Sequence, residues 1–161
     1  MLYDRESAVL YANEWAYKRN PRFYDFENIG GDCTNFISQC IYAGCGIMNY
    51  TPVMGWYFIS LNNRAPAWTG VPFLYNFLTS NKGAGPYGVH LPLESAMIAD
   101  VIQLSPDGVR YTHSLFIVQV GTSPSPENIL ISTHTLDSNN RPLNTYTFAA
   151  SRLIHIIDAR M

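Results

Sequence analysis

Cys33, His113 and His134 are the residues whose types and setting can do chemistry together. Cys33 lies in Gly30-Gly31-Asp32-Cys33-Thr34-Asn35-Phe36-Ile37-Ser38-Gln39-Cys40. Two glycines give a tight, unhindered turn, and Asp32 and Thr34 are both helix-capping types. Phe36, Ile37, Cys40 and Ile41 then fall on one helical face, with Gly44 as the stop. That places Cys33 at a helix N-terminus, where free N–H groups and the helix dipole favour an anion. The expectation is a thiol with a depressed pKa and room in front of it, a nucleophile that needs a base. The competing reading is a buried, inert cysteine, the usual fate of a free thiol; Cys40 is read that way.

A cysteine nucleophile needs a base within hydrogen-bond reach and a third group to orient that base. His113 opens the run His-Ser-Leu-Phe-Ile-Val-Gln-Val just after a turn, and His134 closes the next β-like run. If the two strands form a hairpin, both imidazoles fall at the same end of the sheet. His113 is then the base and His134 the group that holds it, with Asp137 or Asn139 as alternative third members. His90 and His155 are read as structural, as is Asp100. The rival use of Cys33, His113 and His134 is a zinc site, but no local ligand spacing supports one, so no metal or cofactor is expected.

The elements that must position these groups follow from the patterning. Residues 4–19 read as a helix capped by Asp4 and ended by Asn20-Pro21. The loop 22–31, with Phe23-Tyr24-Asp25-Phe26 in its middle, runs directly into the cysteine helix, so Tyr24 and Asp25 are candidates to line the site. Asp32, next to the thiol, and Trp56 are also taken as substrate-binding residues. Trp56 belongs to the window Tyr50–Phe77, which holds eight of the 22 aromatic residues and can build a groove; the alternative is core packing under a long loop. Thr69 caps a short helix from Val71 to about Ser80, and 81–86 is a turn-rich break. The second half reads as strands at 100–104, 113–120, 129–135, 146–148 and 153–157 with short turns between them. Helices followed by consecutive strands give an α+β fold with an antiparallel sheet packed on the cysteine helix.

The composition agrees. The chain has 161 residues, 47% hydrophobic and 14% charged, which suits one domain spanning 1–161. A net charge of −2 offers no basic field for nucleic acid. No apolar run is long enough to span a membrane. Three cysteines argue against a disulfide framework. The first residues lack the layout of a signal peptide. Location stays open between cytoplasm and, for a piece of a longer protein, the cell wall or exterior. A monomer is expected.

At this point the residues match a known pattern. The chain resembles the bacterial Putative amidase domain family, itself similar to the CHAP and NlpC groups of papain-like cysteine hydrolases. The resemblance is carried by Tyr24-Asp25-Phe26, Gly30-Gly31-Asp32-Cys33-Thr34-Asn35-Phe36, Gly55-Trp56-Tyr57 and Trp68-Thr69-Gly70-Val71. It continues through Asp100-Val101-Ile102-Gln103-Leu104, His113-Ser114-Leu115, Thr133-His134-Thr135, Arg141-Pro142-Leu143 and Ile154-His155-Ile156. It departs at Ala99, where related sequences tend to carry glycine. The resemblance implies a papain-like (NlpC/CHAP-like) fold, Cys33 as nucleophile, His113 as base and His134 as the orienting group. It implies cysteine-dependent hydrolysis of an amide, with bacterial cell-wall peptide or a related peptide as substrate and partner. The alternatives are a non-catalytic wall- or glycan-binding module and a zinc-dependent hydrolase.

Overall fold

A computed structural model describes all of residues 1–161. Helix α1 (Arg5–Trp15) and helix α2 (Cys33–Cys45) come first. A small hairpin of β1 (Phe58–Ser60) and β2 (Asn63–Arg64) follows, then α3 (Pro66–Thr69) and α4 (Val71–Ser80). The strands β3 (Gly85–Leu91), β4 (Val101–Ser105), β5 (His113–Gln119), β6 (Leu130–Thr133), β7 (Ser138–Pro142) and β8 (Ala150–Arg160) complete the chain. These six form one antiparallel sheet in the order β3-β8-β4-β5-β6-β7. The fold is α+β with an antiparallel sheet, as the patterning implies.

Side-chain alternation divides the core between the two faces of the sheet. Val101, Phe116, Val118, Ile154 and Ile156 face the helices, where they meet Phe36, Ile37 and Ile41 of α2 and Leu74 of α4. Ile102, Leu104, Leu115, Ile117 and Leu153 face the other way and are covered by Ala96, Ile129 and Leu143. Helix α1 lies close on α2 because its buried positions, Ala8 and Ala12, are small. Gly44 extends this close approach. A Cβ there would lie 2.7 Å from the Tyr3 ring and 2.9 Å from the Asp4 carbonyl oxygen. The helix therefore does not stop at Gly44; it ends at Gly46, whose φ of 66° suits the left-handed cap.

Several boundaries differ from the sequence expectation. Helix α1 ends at Trp15, four residues early, and the Trp15 carbonyl accepts a hydrogen bond from a His134 ring nitrogen. Strand β3 was not expected, because Gly85, Pro86 and Gly88 break the strand pattern. It is an edge strand, where proline is tolerated. Gly88 lets the β8 backbone come close: a Cβ would lie 2.4 Å from the His155 carbonyl oxygen. His90 is thus on β3, paired with Ile154. The expected strand 146–148 is absent; a 3-10 turn at Leu143–Thr145 takes the chain into β8. Ala99, the departure from the family pattern, is buried with φ of 66°, a conformation that favours glycine.

Candidate active site

Cys33 is the first residue of α2, and the thiol meets the beginning of β5. Its Sγ lies 3.8 Å from Thr34 Oγ1, which is 3.0 Å from Ser114 Oγ. Burial pushes the Cys33 thiol above its ordinary pKa; the N–H groups of Ser114 and Thr34 and the Thr34 hydroxyl oppose this, and the Asp32 charge adds to it. The sequence expectation is a depressed pKa; in the folded protein burial acts in the opposite direction. Desolvation is the largest cause, and it favours the neutral thiol.

His113 begins β5, directly across from Leu104 of β4. Cross-strand partners share a face, so His113 lies on the face opposite the helices while Ser114, its neighbour, turns toward α2. Its ring centroid is 6.0 Å from that of Tyr146. Burial, and secondarily the Arg141 guanidinium, lower the His113 pKa to about 4. The imidazole is neutral at pH 7, with both ring nitrogens free of hydrogen bonds to other side chains. No direct Cys33–His113 hydrogen bond is present; the thiol lies against Ser114, and the imidazole belongs to the preceding residue of the same strand end, on its other face.

His134 follows β6 at the same end of the sheet, as the hairpin argument requires, but it does not hold His113. Its Nδ1 is 2.5 Å from Asp32 Oδ2, its Nε2 is 2.8 Å from the Trp15 carbonyl oxygen, and its ring stacks on Phe36. With both nitrogens engaged, it has nothing left for another imidazole. The expected bond from His134 to His113 is therefore absent from this structure. Asp137 makes two bonds to Arg19, at 2.8 and 3.1 Å, and the Asn139 side chain accepts from Ser132, so neither alternative third member reaches His113.

Asp32, expected to bind substrate, is occupied by bonds within the fold. It occupies the N-cap position without a side-chain cap bond. It is fully buried, and its Oδ1 accepts from the Phe26 N–H and from Asn35 Nδ2, both at 2.8 Å. Its Oδ2 faces His134 and lies 3.5 Å from Arg19 Nε. These bonds tie the 22–31 loop and the 134–137 turn to the start of α2. Asp32 is a positioning residue with no surface for substrate. Trp56, also expected to bind substrate, is fully buried, donates from Nε1 to Ser38 Oγ at 3.0 Å and packs on Trp68 and Phe77. Of the four residues expected to bind substrate, Tyr24 and Asp25 remain accessible. Tyr24 is exposed, with its ring edge-on to Phe26, and Asp25 is bonded to Arg19 at 3.2 Å.

Sequence reasoning missed two side chains beside the histidine. Tyr146 and Arg141 come from β7 and the turn after it, and Arg141 Cζ lies 3.7 Å from the Tyr146 ring centroid. No local sequence signal places them there; the sheet does, with Arg141 paired to Ile131 of β6. No three His, Cys, Asp or Glu side chains are grouped to hold a metal ion. An apolar cleft between Val53, Met54, Phe73 and Phe77 lies elsewhere and has no titratable group in its wall.

The structure is that of an α+β protein with an antiparallel sheet, in which a thiol stands at a helix N-terminus and a neutral imidazole at the same strand end. The chain belongs to the Putative amidase domain family, whose model matches residues 2–157. That description points to hydrolysis of amides. The chain is also 34% identical over 143 residues to Uncharacterized protein YhbB of Bacillus subtilis (strain 168), a match covering 86% of this chain and 43% of that protein. The chain thus spans less than half the length of that relative. No solved structure matches it.

Proposed function

We propose that the protein is a cysteine amidohydrolase or peptidase with a papain-like fold in a single domain, and that Cys33 and His113 carry the chemistry. The observation that supports this most is the meeting of the α2 N-terminus with the first residues of β5, where the Cys33 thiol lies against Ser114, next to His113. Since the resting groups are a neutral thiol and a neutral imidazole, His113 acts as a general base. As Cys33 Sγ attacks the amide carbonyl carbon, its proton passes to His113. The tetrahedral oxyanion is bound by the N–H groups of the first turn of α2, which have no intrahelical acceptor. His113 then gives the proton to the leaving amine, the C–N bond breaks, and a thioester on Cys33 remains. Water, deprotonated by His113, hydrolyses the thioester and restores the thiol.

The substrate we favour is a bacterial cell-wall peptide or a related amide. The bond is either the one joining the lactyl sugar to the stem peptide or one within the peptide. Exposed Tyr24 and Asp25, on the loop that leads into Cys33, are the side chains placed to meet it. The test is amide release from wall fragments by wild-type protein and by Cys33→Ala. Turnover that vanishes in the variant, with an unchanged melting temperature, supports the proposal. Undiminished turnover in Cys33→Ala ends it. Binding of fragments without turnover by the wild type indicates a wall-binding module instead.

A further inference from the structure

A line of polar side chains crosses the sheet from β8 to the Cys33 sulfur, and the order of its protons follows link by link. Arg152, Gln103 and Ser114 stand opposite one another on β8, β4 and β5, so their side chains share the face that meets α2. Arg152 Cζ lies 3.6 Å from the Tyr75 ring centroid and 4.0 Å from that of Tyr111, so two aromatic rings hold the guanidinium. Its Nε and Nη2 reach Gln103 Oε1 at 2.9 and 2.7 Å. A guanidinium only donates, so the Gln103 atom that faces it is the amide oxygen. Gln103 Nε2 then donates to the Val71 carbonyl oxygen at 2.8 Å and to Ser114 Oγ at 3.3 Å. The Val71 carbonyl only accepts, which fixes the amide orientation a second time. Ser114 Oγ therefore accepts from Gln103, and its own proton goes to its other partner, Thr34 Oγ1, at 3.0 Å. Thr34 Oγ1 accepts that proton, and the partner left for its own is Cys33 Sγ at 3.8 Å. Gln103, Ser114 and Thr34 are buried, where a hydroxyl proton without an acceptor is costly.

We propose that the Thr34 hydroxyl is the hydrogen-bond donor to the Cys33 sulfur during the reaction, and that Ser114, Gln103 and Arg152 are positioning residues that turn its proton that way. The inference rests on the reading of Cys33 as the nucleophile. In the resting thiol, a sulfur that accepts from Thr34 keeps its own S–H proton free for transfer to His113. As that proton leaves, the negative charge on sulfur meets a hydroxyl already oriented, at the end of a chain whose other end carries a fixed cation. A hydrogen bond strengthens when its acceptor becomes charged. When the sulfur bonds to the carbonyl carbon, the charge passes to the substrate oxygen and the Thr34 bond returns to its resting strength. No proton moves along the chain.

The test reads the thiol directly and needs no substrate. Alkylation of the full chain by iodoacetamide is followed from neutral to alkaline pH, with mass mapping of Cys33 and Cys45. A His113→Ala background lets ionisation of the thiol alone set the rate. The other titratable or charged groups around the site, Asp32 before the thiol and Tyr146 and Arg141 beside the His113 position, are kept in every variant. Thr34→Val keeps the side-chain shape and removes the hydroxyl. It is expected to raise the Cys33 pKa by about one unit and slow neutral-pH alkylation by about tenfold, the low end for a bond to a charged group, with Cys45 unchanged. Thr34→Ser keeps the hydroxyl and should stay within about twofold of its parent. Gln103→Met removes the donor to Ser114 without adding charge and should give a smaller shift in the same direction. An unchanged Cys33 profile in Thr34→Val would overturn the inference. So would an equal shift in Thr34→Ser, or faster labelling of Cys33, which is the effect of loosened packing alone. An unchanged profile in Gln103→Met would overturn the positioning role of the chain, and this variant decides in the same way if Thr34→Val does not fold. Amide turnover retained in Cys33→Ala removes the nucleophile reading instead, a result separate from the alkylation profiles.

Discussion

His113 and His134 stand at the same end of the same sheet, one opening β5 and the other just past β6, and their surroundings are opposite. His134 is buried, with Nδ1 on Asp32 and Nε2 on the Trp15 carbonyl. His113 is half-buried, bonded to no side chain and pushed toward neutrality by burial and by Arg141. An imidazole that must accept a proton in a reaction needs a free nitrogen, whereas one that fixes a fold uses both. The comparison extends to a second structural site. Asp32 is paired with His134 and Arg19, and Asp100 with His155 and Arg5, both aspartates being fully buried. Each trio pins part of the helical layer to the sheet: Arg5 joins α1 to the β4 and β8 edge, and Asp32 joins α2 to the turn after β6. His113 belongs to no such trio.

Substitution separates the two histidines. His113→Ala is expected to lower turnover by about 10²–10⁴-fold, the range for loss of a general base, with little change in stability. His134→Ala should do the reverse. It leaves Asp32 buried with Arg19 3.5 Å away as its remaining charged partner, and losing one partner of a buried pair costs about 3 kcal/mol. Urea unfolding checks this, and turnover below the new transition should survive. A large loss of turnover in folded His134→Ala would erase the distinction.

The pH dependence sharpens it further. His113 has a folded pKa of about 4 against an ordinary value of 6.5. The unfolded chain therefore takes up this proton first. Above pH 6.5 the group has no effect on stability. Between 6.5 and about 4 it destabilises the fold, by about 3 kcal/mol in total at 1.36 kcal/mol per pKa unit. Chemical unfolding at pH 7 and pH 4.5 should show His113→Gln losing less stability on acidification than wild type. In Arg141→Met the acid limb of kcat/KM should move upward, with most of the depression left in place because burial is its larger cause. The smallest effect concerns a position outside both sites. Ala99→Gly relieves a positive φ and should stabilise the protein by up to about 1 kcal/mol, with activity unchanged.

The sequence made the scaffold readable where a pattern is local. The run His113–Val120, the α2 face of Phe36, Ile37, Cys40 and Ile41, and the helix from Val71 to Ser80 each follow from periodicity over a few residues. Strand β3 was hidden, since its glycines and proline read as a turn and its pairing with β8 spans most of the second half of the chain. In the site, residue types identified Cys33 and His113 as candidates but not what surrounds them. The helix N-terminus argued for a low thiol pKa, and burial, a tertiary property, pushes the other way. His134 and Asp32 have the types of an orienting group and a cap. Their bond to each other, across about a hundred residues of chain, is a tertiary contact that no local pattern announces. Trp56 sits in an aromatic window that suits a groove equally well, and only three-dimensional packing on Trp68 and Phe77 assigns it to the core.

The central claim is that a neutral His113 activates a neutral Cys33 thiol. The most direct test is the pH dependence of Cys33 acylation by p-nitrophenyl acetate, mapped by mass, in wild type and His113→Ala. The account predicts a wild-type rate that rises through a pKa of about 4 and is then level to pH 8, while the variant is slow at neutral pH and gains rate only as the thiol itself ionises at alkaline pH. Superimposable profiles in the two proteins would contradict the claim, because the imidazole would then have no part in making the sulfur reactive.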